Sequence, residues 1–294
     1  MYVSVDPYMR GRMNEGKSYV APYPVGGVIQ GGVIGRVMES ASPNLAVGDV
    51  VLGGYGWQSH EVVGDDTVRK IDPTLAPISA YLGVLGMTGL TAYFGLLDIG
   101  KPQAGETVVI SGAAGAVGTV VGQIANIKGA RSVGIAGSKD KCEYLVKELG
   151  FTAAVNYRDA DFAQQLSDVC PNGVDVYFDN VGGEVSDAVM NLINKFARIP
   201  ICGQIANYNL AAPAVGPRVQ GTLLTNSALM QGFIVGNYAQ RFAEGIQDLS
   251  AWLVQGKIKH QETIVDGFDH IVDAFLDLFS GGNTGKLLVR VADL

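Results

Sequence analysis

The 294-residue chain is poor in charge: Asp, Glu, Lys and Arg make up 17% of it, with a net charge of −7. Lys and Arg nowhere cluster, and phosphate-backbone binding depends on such clusters, so no nucleic-acid partner is expected. Cysteine is scarce. Cys142, Cys170 and Cys202 are odd in number and far apart, which excludes a disulfide framework and predicts a reducing, cytoplasmic compartment. There is no C-x-x-C pair, and His60, His260 and His270 stand alone. A zinc site needs three or four ligands at workable spacing, so no metal is expected. No apolar run approaches the roughly 20 residues that cross a bilayer, so no membrane partner is expected. The first residues also lack the charged-then-apolar pattern of a secretory signal. Internal repeats and low-complexity tracts are absent as well.

What is present is apolar and glycine-rich: 48% hydrophobic residues and 40 glycines, enough to bury a large core in one or two domains. Residues 1 to about 80 alternate short apolar runs with glycine, as in Gly26–Val37 and Val47–Leu52, a texture of short strands and turns that predicts a β-barrel-like domain. Met1–Val5 alternates like a strand from its first residue with no preceding element to pair with, which predicts a missing N-terminal portion. From Glu106 to Gly236 the texture changes. Short β-rich runs at Thr107–Ser111, Ser132–Ala136, Ala153–Asn156, Val174–Asp179, Ala197–Cys202 and Gly232–Val235 are separated by helical segments such as Lys139–Leu149 and Asp161–Val169. That alternation predicts an α/β fold, a doubly wound parallel sheet with helices on both faces. Arg241–Gln255 reads as an amphipathic helix and Leu287–Val291 as a closing strand.

The strongest chemical signal is Val108-Val109-Ile110-Ser111 running into Gly112-Ala113-Ala114-Gly115-Ala116-Val117-Gly118 and a helix over Thr119–Lys128. Glycines between a strand and a helix let backbone N–H groups approach a pyrophosphate at the positive end of the helix. The spacing is G-x-x-G-x-x-G, one residue off the G-x-G-x-x-G fingerprint, and the competing interpretation is tight helix-on-strand packing. The end of the second strand reads Ala136-Gly137-Ser138-Lys139-Asp140-Lys141. An NAD site places an acid there for the ribose 2′-hydroxyl, whereas small residues followed by two lysines suit a 2′-phosphate and favour NADP(H). Asp140 can face the ribose instead, or cap the helix, and Lys139 and Lys141 can be a solvated helix start. Without a metal to polarise a carbonyl, the acceptor must already be electrophilic, as the β-carbon of a conjugated enone is.

Val5–Met13, Gly86–Leu97, the glycine turn, Phe178-Asp179-Asn180-Val181-Gly182-Gly183, Ile201–Asn209 and Gly282–Lys286 together resemble the prostaglandin reductase and alkenal double-bond reductase branch of the medium-chain dehydrogenase/reductase superfamily, within it most the bacterial NADPH-dependent curcumin reductases. The resemblance spans Met1 to Leu294. It departs at Thr88, where the family usually has proline, and in lacking about the first 45 residues that the family carries. It implies a GroES-like β-barrel substrate domain over 1–89 and 237–294 and a Rossmann NADP-binding domain over 90–236. It further implies that Gly115, Ala116, Val117 and Gly118 cradle the pyrophosphate, Lys141 holds the 2′-phosphate and Tyr157 contacts the adenosine side. Asn180, where the fourth strand ends, would bind the cofactor at the carboxyl edge of the sheet, Cys202–Tyr208 and Phe233, Ile234 and Val235 would flank the nicotinamide, and Asn283 would add a cofactor contact from the C-terminal segment. Read without the family, Asn180 and Asn283 can be plain turn residues beside glycines and Phe233–Val235 a buried strand.

The implied reaction is reduction of an α,β-unsaturated aldehyde or ketone at its C=C bond. Hydride goes to the β-carbon, and the enolate oxygen is stabilised by hydrogen-bond donors. Tyr208 is the candidate catalytic donor and Tyr8 a candidate catalytic contact from the other domain, with a packed surface aromatic as its competing role. The alternatives are a quinone reductase and a non-catalytic NADPH-binding protein. A homodimer joined through Ser227–Gly236 is expected by analogy with the superfamily.

Overall fold

The computed structural model describes residues 1–15 and 18–292. Its strands are β1 (Tyr2–Ser4), β2 (Gln30–Arg36), β3 (Val50–Gly56), β4 (Arg69–Lys70), β5 (Thr107–Ser111) and β6 (Arg131–Ala136). They continue with β7 (Ala153–Asn156), β8 (Val174–Phe178), β9 (Ile193–Ile201), β10 (Leu229–Gly232), β11 (Glu262–Asp266) and β12 (Lys286–Arg290). The chain forms two compact units, one of Met1–Gly86 with Glu262–Leu294 and one of Met87–Gln261.

The first unit holds a sheet in the order β11-β12-β1-β2-β3-β4, antiparallel except for the parallel pair β11 and β12. β1, the opening strand, sits between β12 and β2, so its partners come from later in the chain. Among the described residues the sheet is open rather than a closed barrel, because β4 is two residues long and its far side and that of β11 find no further strand. Val3, Val5, Met9, Phe275, Leu287 and Val289 form its core. Lys286, 4% exposed, threads this core. Its Nζ donates to the Val5 carbonyl at 2.9 Å, to Asp6 Oδ1 at 3.0 Å and to the Leu287 carbonyl at 3.0 Å, so all three ammonium donors are used.

The second unit is the expected α/β layer. Its sheet runs β10-β9-β8-β5-β6-β7, all parallel. β5 is buried at every position, as a central parallel strand must be. Each of Val108, Val109 and Ile110 contributes roughly 1.5–3 kcal/mol of burial. Helices cover both faces. Tyr177 and Val109 join one core with Leu166, Val185 and Val189 from helices Phe162–Val169 and Gly183–Met190. On the other face Val176 and Phe178 meet Gly100 and Gly95, and Leu145 of helix Lys139–Lys147 meets Gly134.

Residues 237–261, expected with the barrel, pack instead with the parallel sheet. In helix Phe242–Val254, Asp248 and Glu244 accept hydrogen bonds from Tyr93 Oη at 2.7 and 3.2 Å. Gln123 Nε2 donates to the Lys259 carbonyl at 2.9 Å. This helix therefore has its polar partners and its Gly245 contact with Leu90 inside the second unit.

Candidate active site

The carboxyl ends of the six parallel strands lie along one sheet edge, and β5 has β6 on one side and β8 on the other, the reversal of winding at which α/β sheets bind ligands. β5 delivers Ser111 to this edge and Gly112 turns the chain with φ +59°, a conformation that suits glycine. The Ala113 N–H donates to the Ile135 carbonyl at 3.0 Å and the Gly115 N–H to the Gly112 carbonyl at 3.0 Å. Helix Ala116–Ile127 starts three residues before the expected Thr119, because Gly115 takes the N-cap position with φ −84° and ψ 175°. No side chain caps this helix and its first turn carries no acid, so its positive end faces whatever anion arrives. Gly118 keeps the turn closed: a Cβ there would lie 2.4 Å from the Gly112 oxygen and 2.6 Å from the Ala113 Cα. This cradle of glycines and small apolar residues, with no acid in it, fits a dinucleotide pyrophosphate.

At the end of β6 the helix cap is Ser138, whose Oγ accepts from the Lys141 N–H at 3.3 Å. Asp140 is therefore not the capping side chain; it is an exposed residue of the first turn. Lys139 is solvent-facing and 4.0 Å from Glu143. Lys141 is half-buried, and burial together with the nearby Arg158 guanidinium lowers its ammonium pKa. Tyr157, at the end of β7, donates its N–H to the Ala136 carbonyl at 3.0 Å. Its ring lies against Gly137, where a Cβ would come within 3.0 Å, and the Arg158 guanidinium sits 5.7 Å from its centroid. Lys141, Tyr157 and Arg158 thus gather at the ends of β6 and β7.

Asn180 follows β8. Its N–H donates to Ser111 Oγ at 2.9 Å and its Nδ2 to the Ser111 carbonyl at 2.8 Å, so it joins the ends of β8 and β5. After β9, the Cys202 N–H donates to the Asp179 carbonyl at 2.8 Å. Burial, with a smaller contribution from the Asp179 charge, pushes the Cys202 thiol up to about 12. Tyr208 Oη accepts from the Gln204 N–H at 3.3 Å. Its phenol pKa is raised, chiefly by burial and further by Cys202 and Asp179, so the hydroxyl stays a proton-bearing donor. A Cβ at Gly203 would come within 3.1 Å of that hydroxyl oxygen and 3.2 Å of the Asn180 carbonyl, which keeps the space beside them open.

β10 ends at Gly232, earlier than expected, and Phe233–Val235 lead out of it into the turn Val235–Arg241. The Phe233 ring meets Phe178 edge-on at 6.2 Å and lies over Gly95. Gly115–Gly118, Lys141, Tyr157, Asn180, Cys202, Tyr208 and Phe233–Val235 therefore share one edge of the second unit. Tyr8 and Asn283 belong to the first unit. Tyr8 is half-buried in the turn Pro7–Met13 beside that unit's core, and burial, Asp6 and Tyr23 raise its pKa. The Asn283 amide donates to the Gly285 carbonyl at 2.8 Å, holding the turn before β12. Ser111, Ser138, Arg158 and Asp179 went unassigned from sequence. The available signal was a polar residue directly after an apolar run, Ser111 after Val108–Ile110 and Asp179 after Val176–Phe178.

Among the described residues no group of three or more His, Cys, Asp or Glu is placed to hold a metal ion. Residues 1–71 match a family model described as the N-terminal domain of oxidoreductase, and residues 116–251 match one described as zinc-binding dehydrogenase. YfmJ of Bacillus subtilis, whose name describes an NADP-dependent oxidoreductase, is 59% identical over 100% of this chain and 87% of its own length. The NADPH-dependent curcumin reductase of Escherichia coli is 45% identical over 99% of this chain and 86% of its own. The chain belongs to the medium-chain dehydrogenase/reductase family. The crystal structure of a fellow member, Vibrio vulnificus CurA in complex with NADPH, superimposes with a TM-score of 0.95 at 44% identity, covering 100% of this chain and 88% of that one. The parallel sheet of the second unit is thus the family's Rossmann sheet, and the first unit holds a separate, largely antiparallel one.

Proposed function

We propose that this medium-chain reductase uses NADPH to reduce the C=C bond of α,β-unsaturated aldehydes and ketones. The observation that carries the proposal is the 45% identity, over 99% of the chain, with an NADPH-dependent curcumin reductase. The turn of glycines and small residues at Gly112–Gly118 and the cationic pair at the ends of β6 and β7 support it.

NADPH, when bound, supplies the hydride that reaches the substrate β-carbon. The backbone N–H groups of Ala116–Gly118 bind the pyrophosphate at the positive end of their helix, and Gly115, whose own N–H is held by the Gly112 carbonyl, completes the cradle. Lys141 binds the 2′-phosphate, with Tyr157 beside the adenosine. Asn180, Cys202 and the Phe233–Val235 loop orient the nicotinamide end. Tyr208 Oη donates to the carbonyl oxygen as it becomes an enolate oxygen, a gain concentrated in the transition state. The α-carbon is then protonated by Tyr208 or by water. No metal takes part, since the enone carbonyl already activates its own β-carbon.

The chain acts in the cytoplasm, in keeping with three free cysteines and with the lack, among the described residues, of a helix long and apolar enough to cross a membrane. It acts as a homodimer paired through β10, an exposed edge strand with Leu229 at its start and the exposed Leu224 nearby; gel filtration at the monomer mass would remove the dimer. Following NADPH absorbance with an enal, an enone and a quinone in parallel tests the activity. Turnover of the enal and enone is expected. Turnover of the quinone alone indicates a quinone reductase, and NADPH binding without oxidation a non-catalytic protein. Replacing Tyr208 with Phe is expected to lower kcat far more than NADPH affinity; unchanged turnover removes Tyr208 from the mechanism.

A further inference from the structure

The group at this edge that the proposed chemistry leaves unused is Asp179, a carboxylate 2% exposed at the reversal point between β5 and β8. Its Oδ1 accepts four hydrogen bonds, each 2.9 Å: from Ser111 Oγ, Tyr177 Oη and the N–H groups of Val181 and Gly182. Gly182 reaches this position with φ +71°. The Asp179 carbonyl accepts from the N–H of Cys202 at 2.8 Å and of Gly203 at 3.2 Å. The Asn180 and Val181 carbonyls accept from Ile205 at 3.4 Å and Ala206 at 3.1 Å. Ser111 acts in both directions, donating to Asp179 and accepting from the Asn180 N–H at 2.9 Å.

A buried carboxylate is costly unless its lone pairs are filled, and here one oxygen draws its donors from the ends of two strands and from the following turn. The consequence is a knot with three loose ends tied in it: the glycine-turn strand, Asn180 and the Cys202–Tyr208 segment. Networks of this kind fix geometry beyond the strength of any single bond.

We infer that Asp179 and Ser111 are positioning residues, holding Asn180 and the Tyr208 segment in register with the glycine turn before any ligand arrives. The inference rests on the proposal that these residues form the reductase site. It assigns them no contact with substrate or cofactor.

Three variants test it: Ser111→Ala, its conservative counterpart Ser111→Thr, and Tyr177→Phe. Tyr177→Phe removes one donor to Asp179 and the hydroxyl beside Ser111 and Ser186, while the Ser111–Asp179, Ser111–Asn180 and loop hydrogen bonds keep both of their partners. Kinetics, the dissociation constant of NADPH from nucleotide fluorescence, and thermal melting are read for each. Ser111→Ala is expected to weaken NADPH binding and lower kcat, each by about tenfold, with Ser111→Thr recovering most of both. Tyr177→Phe is expected to lower the melting temperature with binding and kcat close to wild type. If Ser111→Ala and Tyr177→Phe change only the melting temperature, or change all quantities in the same proportion, the network is structural and the inference is overturned.

Amide hydrogen exchange on the wild-type protein without NADPH decides the matter even if Ser111→Ala does not fold. Residues 180–182, 202 and 205 are expected to exchange far more slowly than the exposed 209–216. Equal exchange overturns the inference. Should the wild type reduce no enone, the proposed function fails by itself, while the exchange and NADPH-binding results still judge the positioning of this edge.

Discussion

The two glycines flanking the start of helix Ala116–Ile127 respond differently to a single added methyl. At Gly118 a Cβ would stand 2.4 Å from the Gly112 oxygen, 2.6 Å from the Ala113 Cα and 2.9 Å from the Ala113 carbonyl carbon. All three are backbone atoms, which no side-chain rotation relieves. The turn itself must open, and overpacking of this kind costs about 1–3 kcal/mol. Because the displaced atoms form the cradle, the same distortion reaches the pyrophosphate site, and at 1.4 kcal/mol per decade it corresponds to about 5- to 150-fold in NADPH affinity. At Gly115 the nearest atom to an added Cβ is the Gly112 oxygen at 3.2 Å, and φ of −84° is open to any L-residue. Gly118→Ala is therefore expected to lose NADPH affinity by one to two orders of magnitude, about tenfold or more beyond Gly115→Ala. Fluorescence titration with NADPH, after melting curves establish that both variants are folded, provides the measurement. Equal affinities for the two variants, or wild-type affinity in Gly118→Ala, would refute the reasoning.

Replacing Lys141 with Ala should raise the NADPH dissociation constant about 10- to 100-fold, the loss of a charge-assisted contact, while NADH binding changes little; a proportional loss of both would place the 2′-phosphate elsewhere. Lys286→Met should destabilise the first unit by about 3–5 kcal/mol, because Asp6 is left buried without its cation, and pairing it with Asp6→Asn should cost less than the sum in urea denaturation. Stability should fall as the solution becomes alkaline. Unfolded thiols ionise near 8.5, whereas folded Cys170 and Cys202 hold their protons to about 11 and about 12, so above the unfolded value the native state binds more protons and its stability declines. Urea midpoints at pH 7.5 and 10 measure this, and Cys202→Ala should flatten the decline.

The parallel sheet was legible because its strands are short apolar runs punctuated by glycine: Thr107–Ser111 and Ala153–Asn156 fall where expected. β9 begins at Ile193 rather than Ala197 because Phe196 adopts φ +66° and the pairing with β8 shifts register. A bulge of that kind lets polar Asn194 and Lys195 stay in a strand whose pattern does not announce them. Residues 237–261 were grouped with the barrel by the family resemblance; amphipathic periodicity marks an apolar face without naming its partner, and the packed structure brings Gly245 to Leu90 and Gln123 to Lys259. Glycine-rich strand texture predicted a β-barrel-like domain, and such texture carries no information on whether edge strands meet. At the site, the glycine turn was readable since backbone geometry demands those residues, whereas Ser111 and Asp179 show only as polar residues after apolar runs, a signal that does not name a partner 68 residues away.

The most direct test of the central claim follows the hydride. NADPH carrying deuterium at the transferable C4 position is incubated with the protein and a conjugated enone, and the product is read by NMR. The account predicts a saturated carbonyl compound with deuterium on the former β-carbon. Deuterium on the carbonyl carbon of an allylic alcohol, or an unlabelled and unreduced enone, would contradict it.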